Sequence, residues 1–148
     1  MQIYDFEVTD SAVEDKIKQA GFDMELIPTE IYSKKSFVHI LGHRKACLYK
    51  PDTVLNSYDI IKAIEHIGKG DERARAATAE ELLSFEATCG HLIPETKAVA
   101  ALGEKIHLDS VSGDVVLVRV GTGSSKELCV YPWDVVWNDQ VEFLIIFE

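Results

Sequence analysis

The segment from Val141 to Phe147 constrains the fold most, because six of its seven residues are apolar. A strand that reads as a nearly continuous apolar run is usually buried on both faces. We therefore expect a buried closing strand within a mixed β-sheet flanked by helices. This pattern, together with the helical segments below, predicts one α/β (α+β) domain over residues 1–148.

Residues 1–68 carry alternating strand and helix signals. Residues 3–8 predict a strand, and Ser11 with Glu14 predicts a capping box for a helix that Gly21 ends. Residues 22–32 and 36–49 are expected to form strands or hairpins, with a turn at 42–45. Isoleucines spaced along one helical face predict a second helix over 57–67, closed by Gly68.

Residues 69–77 are polar and are expected to form a connector to a second part, residues 78–148. Thr78 and Glu81 predict another capping box. Pro94 fits the first turn of a helix over 94–102, because its missing N–H would have no partner there. Strands are expected at 105–109 and 115–120, and a loop at 121–125.

The charge of the chain limits its partners. Fifteen basic and twenty-five acidic residues give −10, which repels long nucleic acids and anionic membranes. Three cysteines without CxxC spacing favour free thiols in a reducing compartment. No apolar run approaches the roughly 18–20 residues that span a bilayer, and the N-terminus lacks a signal-peptide profile. We expect a cytoplasmic protein.

Gly90 and His91 form the most suggestive local motif. Placed just before a helix, they would lie beside unpaired backbone N–H groups, which bind anions. Histidine exchanges protons near neutral pH, so this corner predicts phosphate binding or phosphate chemistry. A structural histidine is the alternative.

Other polar and aromatic clusters have ordinary alternatives. His39, His43 and Cys47 have helical metal-ligand spacing, but their segment favours strands, so we expect no metal site. The basic residues His43, Arg44 and Lys45 form either a solvated turn or a phosphate clamp. Arg73 and Arg75 fit a charged linker, and Trp133 with Trp137 fits the core better than an exposed face.

The second part of the chain resembles the viral ring nuclease family. The resemblance rests on Phe85 to His91, Leu102-Gly103, the Ser-Gly-Asp turn with the strand after it, and the closing strand. Members of this family are small type III anti-CRISPR proteins of archaeal viruses and mobile elements that degrade cyclic tetra-adenylate.

The resemblance implies a homodimer that binds the cyclic ligand across its two-fold axis without a cofactor. His91 would be the general acid and Glu127 a second catalytic group. Apart from the resemblance, Gly90, Thr96 and the basic residues His43, Arg44 and Lys45 are candidates to hold the ligand. The family's Arg before this Glu and its Asn-Arg pair are missing here. Binding without cleavage therefore stays open.

Two functions follow as hypotheses. The first is binding, with metal-independent cleavage, of a cyclic oligoadenylate or related cyclic nucleotide messenger, which would counteract antiviral signalling in a host cytoplasm. The alternative is a non-enzymatic acidic inhibitor of viral or mobile-element origin that acts on a host defence protein. The charge of −10 fits the second without any site.

Overall fold

A computed structural model describes residues 2–24, 27, 30–31, 37–68, 70–94, 96–121 and 125–148. Within these residues the chain forms nine strands: β1 Tyr4–Val8, β2 Gly42–Tyr49, β3 Leu55–Asn56, β4 Ala74–Ala76, β5 Ala98–His107, β6 Asp114–Gly121, β7 Lys126–Pro132, β8 Val136–Trp137 and β9 Val141–Phe147. Three α-helices are described: α1 Val13–Gln19, α2 Ser57–Glu65 and α3 Ala79–Cys89, which continues into a 3₁₀ turn, Gly90–Leu92.

The predicted closing strand, β9, lies in the middle of a seven-stranded mixed sheet. One edge of β9 pairs antiparallel with β2. Its other edge is shared, because Val141 to Phe143 pair parallel with β5 and Ile145 to Phe147 pair antiparallel with β4. The remaining strands extend the sheet in the order β1-β2-β9-β5-β6-β7. The prediction of a mixed sheet in one α/β domain is confirmed.

Helices cover both faces of this sheet. Leu144 and Ile146 pack into the core on the side of α1 and α3, which we call the α3-side core. Phe143 and Ile145 point to the other face, the α2-side core, which includes Ile60 and Trp137. The four β9 side chains are at most 1% exposed. Burial of this apolar surface on both faces stabilises the fold.

Two of the predicted helix-boundary signals are confirmed. Thr78 and Glu81 form the predicted capping box. Gly21, at φ +84°, ends α1, and the N–H of Phe22 donates to the Ile17 carbonyl across it. These bonds satisfy carbonyls that the helix leaves free.

The cap predicted at Ser11 is wrong, since α1 begins at Val13 without a side-chain cap. The Ser11 hydroxyl lies 2.8 Å from that of Thr9 instead.

Three further predictions are wrong. Residues 42–45 form part of strand β2 rather than a turn. They pair with β1 along one edge, and β9 pairs with the other edge of β2 from Lys45 onward. Among the described residues of 94–102, Pro94, Thr96 and Lys97 lie outside any helix, and β5 begins at Ala98. The Ala-rich run lies between β9 and β6, and this pairing overrides its helix propensity. The expected connector contains β4.

Among the described residues, no helix has the length and hydrophobicity needed to cross a membrane.

Candidate ligand-binding site

His91 lies in the 3₁₀ turn that follows α3, and its side chain is exposed. The described residues that follow it form no helix, so the corner sits at the C-terminal end of α3 rather than at the N-terminal end of another helix. The partial charge there is negative and favours cations. An anion at this corner therefore depends on side-chain cations rather than on backbone N–H groups.

One such cation, Lys126, lines the space beside His91. A cleft of about 420 Å³ opens there, and we call it the His91 cleft. It lies between the end of α1, the end of α3 and the start of β7. Its lining comprises Gln19, Ala20, Glu86, Ala87, Gly90, His91, Ile93 and Lys126.

Glu86 is the buried carboxylate of this cleft. Its Oε2 accepts a hydrogen bond from Lys126 Nζ at 3.3 Å, and its Oε1 lies 3.4 Å from Arg119 Nε. The side chains of Glu86 and Arg119 are both 0% exposed. Burial raises the pKa of Glu86, and the charges of Arg119 and Lys126 offset part of this effect.

The pairing within this cluster is incomplete. Among the described residues, Glu86 Oε1 and the Nε and Nη2 atoms of Arg119 have no hydrogen-bond partner. Arg119 Nη1 donates to the carbonyls of Pro94 and Lys97 at 3.1 and 2.8 Å, and so holds the loop that follows His91. Buried polar groups are normally satisfied, so each exception needs an explanation, such as a bound water, an ion or a catalytic role. The cluster contains two cations and one carboxylate, so it is locally positive in an acidic protein.

Gly90 makes room for this ion pair. Its φ of −57° suits any residue, but a Cβ built there would lie 2.6 Å from Glu86 Oε2 and 2.9 Å from Lys126 Nζ. Both distances are shorter than van der Waals contact. The glycine is therefore explained by close approach of the charged groups, not by backbone conformation.

Glu127 does not accompany His91. Alternate residues of a strand point to opposite faces, and the neighbour Leu128 packs in the α3-side core. Cys129, which shares the face of Glu127, packs against the α2-side core. Glu127 thus points away from the cleft. Thr96 is exposed in the loop before β5 and is not among the cleft-lining residues.

The basic residues 43–45 also lie elsewhere. His43 is exposed, with Nε2 3.1 Å from Asp5 Oδ1, and Lys45 is exposed on the same face of β2. Arg44 points to the opposite face and donates to Glu81 at 2.5 Å, at the N-terminal end of α3. The structure therefore brings Gly90 and His91 together but separates them from Arg44, His43 and Lys45.

The spaced trio His39, His43 and Cys47 does not converge. His39 Nδ1 lies 2.6 Å from Glu80 Oε1, whereas Cys47 is buried in the α2-side core. In the part of the chain that the structure describes, no three His, Cys, Asp or Glu side chains are grouped to hold a metal ion. Trp137 is 3% exposed in the core, as expected, and Trp133 is half-buried at its margin.

The sequence interpretation missed Glu86, Arg119 and Lys126. Glu86 precedes Gly90 by four residues, which is one helical turn, so extending the capped helix to Cys89 would have placed it beside His91. The two cations come from β6 and β7, and no local pattern relates them to the helix. No protein-family model, curated protein or solved structure matches this chain.

Proposed function

We propose that the His91 cleft binds a small phosphate-containing ligand of the nucleotide-messenger class, such as a cyclic oligoadenylate, and that His91 is the acid that assists its cleavage. The observation that carries this proposal is the incompletely paired Glu86–Arg119–Lys126 cluster beside an exposed histidine. Lys126 supplies a cation at the cleft wall. Arg119 adds positive potential from its buried position behind Glu86.

The size of the cleft suits one nucleotide unit per copy of the chain. Small-molecule sites commonly enclose about 300–1,000 Å³, and the His91 cleft encloses about 420 Å³. A ring of four nucleotides is larger, so it would bridge the clefts of two copies in a homodimer. This arrangement agrees with the dimer that the family resemblance implies.

The proposed reaction uses a hydroxyl of the ligand as its nucleophile. The 2′-hydroxyl gives its proton to water and attacks the neighbouring phosphorus, the bond to the 5′ oxygen breaks, and protonated His91 gives its proton to that oxygen. The products are a 2′,3′-cyclic phosphate end and a 5′-hydroxyl end. Positioned acids of this kind contribute roughly 10²–10⁴-fold to a rate. Glu86 is the cleft-lining carboxyl, and its role is to hold Lys126 and Arg119 in place.

Cleavage is tested by incubating the protein with cyclic tetra-adenylate in a metal chelator and separating the products by chromatography. We expect linear products ending in a cyclic phosphate, and their loss in His91→Ala. His66→Ala is the matched control, because His66 is also exposed at a helix C-terminus but lies on α2. Equal activity of the two variants would contradict the role of His91.

Binding is measured separately by the thermal stability of the protein with the same ligand. A ligand present at a hundred times its Kd adds about 2.7 kcal/mol to the free energy of unfolding. Lys126→Met is expected to reduce this gain. Stabilisation without cleavage would restrict the proposal to a ligand-binding protein, and absence of both effects would overturn it.

A second candidate function is protein binding, and a specific surface favours it. Val54, Tyr58 and Val136 lie around the two-stranded β3–β8 sheet and are 53%, 59% and 64% exposed. Exposed apolar groups of this kind mark interaction sites when they form a patch. In cells defended by cyclic-oligoadenylate signalling, an inhibitor acting here would lose its effect in Val136→Asp and keep it in His91→Ala. The opposite result would favour the nucleotide function.

A further inference from the structure

A second cavity lies on the other face of the sheet from the His91 cleft. It encloses about 560 Å³ and forms where β9 exchanges β5 for β4 as its neighbour. We call it the Trp133 groove. Its lining comprises Ile61, Arg75, Ala76, Leu102, Gly103, Lys105 and Trp133.

The floor of the groove is set by a backbone irregularity. The pairing of β5 with β6 shifts between Ala101 and Ile106. Within this bulge, the N–H of Gly103 donates to the Ala77 carbonyl at 2.7 Å. A Cβ at Gly103 would lie 2.3 Å from the Ala76 carbonyl oxygen, so only glycine lets the two backbones meet. Bulges of this type are often found next to binding sites.

The walls combine apolar surface with one available cation. Ile61, Leu102 and Trp133 supply aliphatic and aromatic contacts. The Lys105 ammonium lies 4.4 Å from the centroid of the Trp133 ring, and no described carboxylate lies within ion-pair distance of it.

Arg75, the other cation of the groove, is already engaged. Its Nη1 and Nη2 atoms donate to Glu81 at 2.7 and 2.8 Å, and its Nε donates to Glu148. A ligand in the groove therefore meets one free positive charge. This favours a single negative charge over a polyphosphate.

We propose that the Trp133 groove binds a planar aromatic carboxylate, with its ring against Ile61, Leu102 and Trp133 and its carboxylate on Lys105 Nζ. The charge complementarity of Lys105 and the apolar walls determine this choice. The site is separate from the His91 cleft and does not depend on the function proposed for it.

The probe for this site is 2-naphthoate, titrated into the full chain by calorimetry and by NMR of the tryptophan indole N–H signals. We expect saturable binding that shifts the Trp133 signal. The Trp137 signal serves as an internal reference, because its indole is buried and donates to Ser57 Oγ. Binding that leaves the Trp133 signal unchanged would overturn the proposal.

Charge recognition is tested with Lys105→Met, which we expect to weaken 2-naphthoate binding by about fivefold or more. Lys105→Arg should retain the affinity for 2-naphthoate. Uncharged 2-naphthamide should bind the wild type and Lys105→Met equally. Lys62→Met is the matched control, because Lys62 also lies over an aromatic ring, that of Tyr58, at 4.5 Å. Equal affinity of 2-naphthoate for the wild type and Lys105→Met would contradict the proposal, whereas His91→Ala should have no effect.

Discussion

Each end of α3 buries a glutamate, but the surroundings shift the pKa of the two carboxyl groups in opposite directions. At the N-terminal end, Glu81 accepts hydrogen bonds from Arg44, Arg75 and the backbone of Thr78. Burial alone would raise the pKa of Glu81, but these bonds outweigh it and lower the pKa to about 2. At the C-terminal end, burial dominates and raises the pKa of Glu86.

This difference distinguishes a structural ion cluster around Glu81 from a candidate site around Glu86 that has unpaired polar atoms. Glu81 also closes the capping box, so its charge stabilises the start of the helix. Glu86 and Arg119 keep polar atoms without partners in the described part of the chain. Unmet hydrogen-bonding groups cost free energy. Natural proteins accept such costs at functional sites.

Glu81→Gln should have the largest effect on stability. The change removes the anion between two arginines and leaves their charges without a partner, which costs about 3 kcal/mol when such a pair is buried. The free energy of unfolding in urea at pH 7 measures this loss. Glu65→Gln, at an exposed position of α2, is the control. A loss below about 1 kcal/mol would show that the cluster is not stabilising.

The loss in Glu81→Gln should depend on pH. The pKa of Glu81 falls from 4.5 to about 2 on folding, so its ionised form stabilises the native state above the unfolded pKa. This stabilisation disappears as the pH falls from about 4.5 towards 2. Parallel stability curves for the wild type and the variant over that range would contradict the assignment.

Two glycines that end helices should respond differently to alanine. Gly21 has a φ of +84° and no atom near an added Cβ, so Gly21→Ala costs about 1 kcal/mol through the backbone alone. Gly90→Ala should cost less stability, about 0.5 kcal/mol, because movable side-chain ends are displaced. It should nevertheless abolish the ligand-induced rise in Tm at the His91 cleft. Unfolding with and without cyclic tetra-adenylate separates the two effects.

Glu86→Gln should give the smallest change, with a sign opposite to that of Glu81→Gln. Because folding raises the pKa of Glu86, the native state binds its proton more tightly than the unfolded state. The carboxyl therefore contributes most stability below its unfolded pKa, and loses it as the pH rises through its folded pKa. At pH 7 the uncharged variant should be more stable than the wild type by less than about 0.5 kcal/mol, because the buried Arg119 guanidinium loses its ion-pair partner and this offsets part of the gain. Destabilisation that grows with pH would contradict this.

Local signals predicted several elements well. Thr78 and Glu81 identify a helix start because the capping box involves only four residues. The apolar strand β9 matches its predicted bounds because few other structures bury such a run. The isoleucines of α2 are also on the predicted face, with Ile60 and Ile64 fully buried.

The failures have a common cause in long-range pairing. The Ala-rich start of β5 has a helical propensity, but its neighbours β6 and β9 satisfy it as a strand. The buried Lys16–Glu80 ion pair joins residues 64 positions apart. The same holds for Glu86 with Arg119 and Lys126, so the cations of the candidate site had no local signature. The sequence identified the His91 corner as a motif, but it predicted the N-terminal end of a helix there, whereas the structure has the C-terminal end of α3.

The position of β9 has a consequence for how the chain acquires its structure. The strand lies between β2 on one side and both β4 and β5 on the other, although it is made after all of them. Without β9, the described pairings leave two separate groups of strands, β1-β2 and β5-β6-β7, each with an unpaired inner edge. Such edges promote aggregation. Pairing of β9 with β2 and β5 joins the two groups, so docking of β9 is expected to be a late and cooperative folding step.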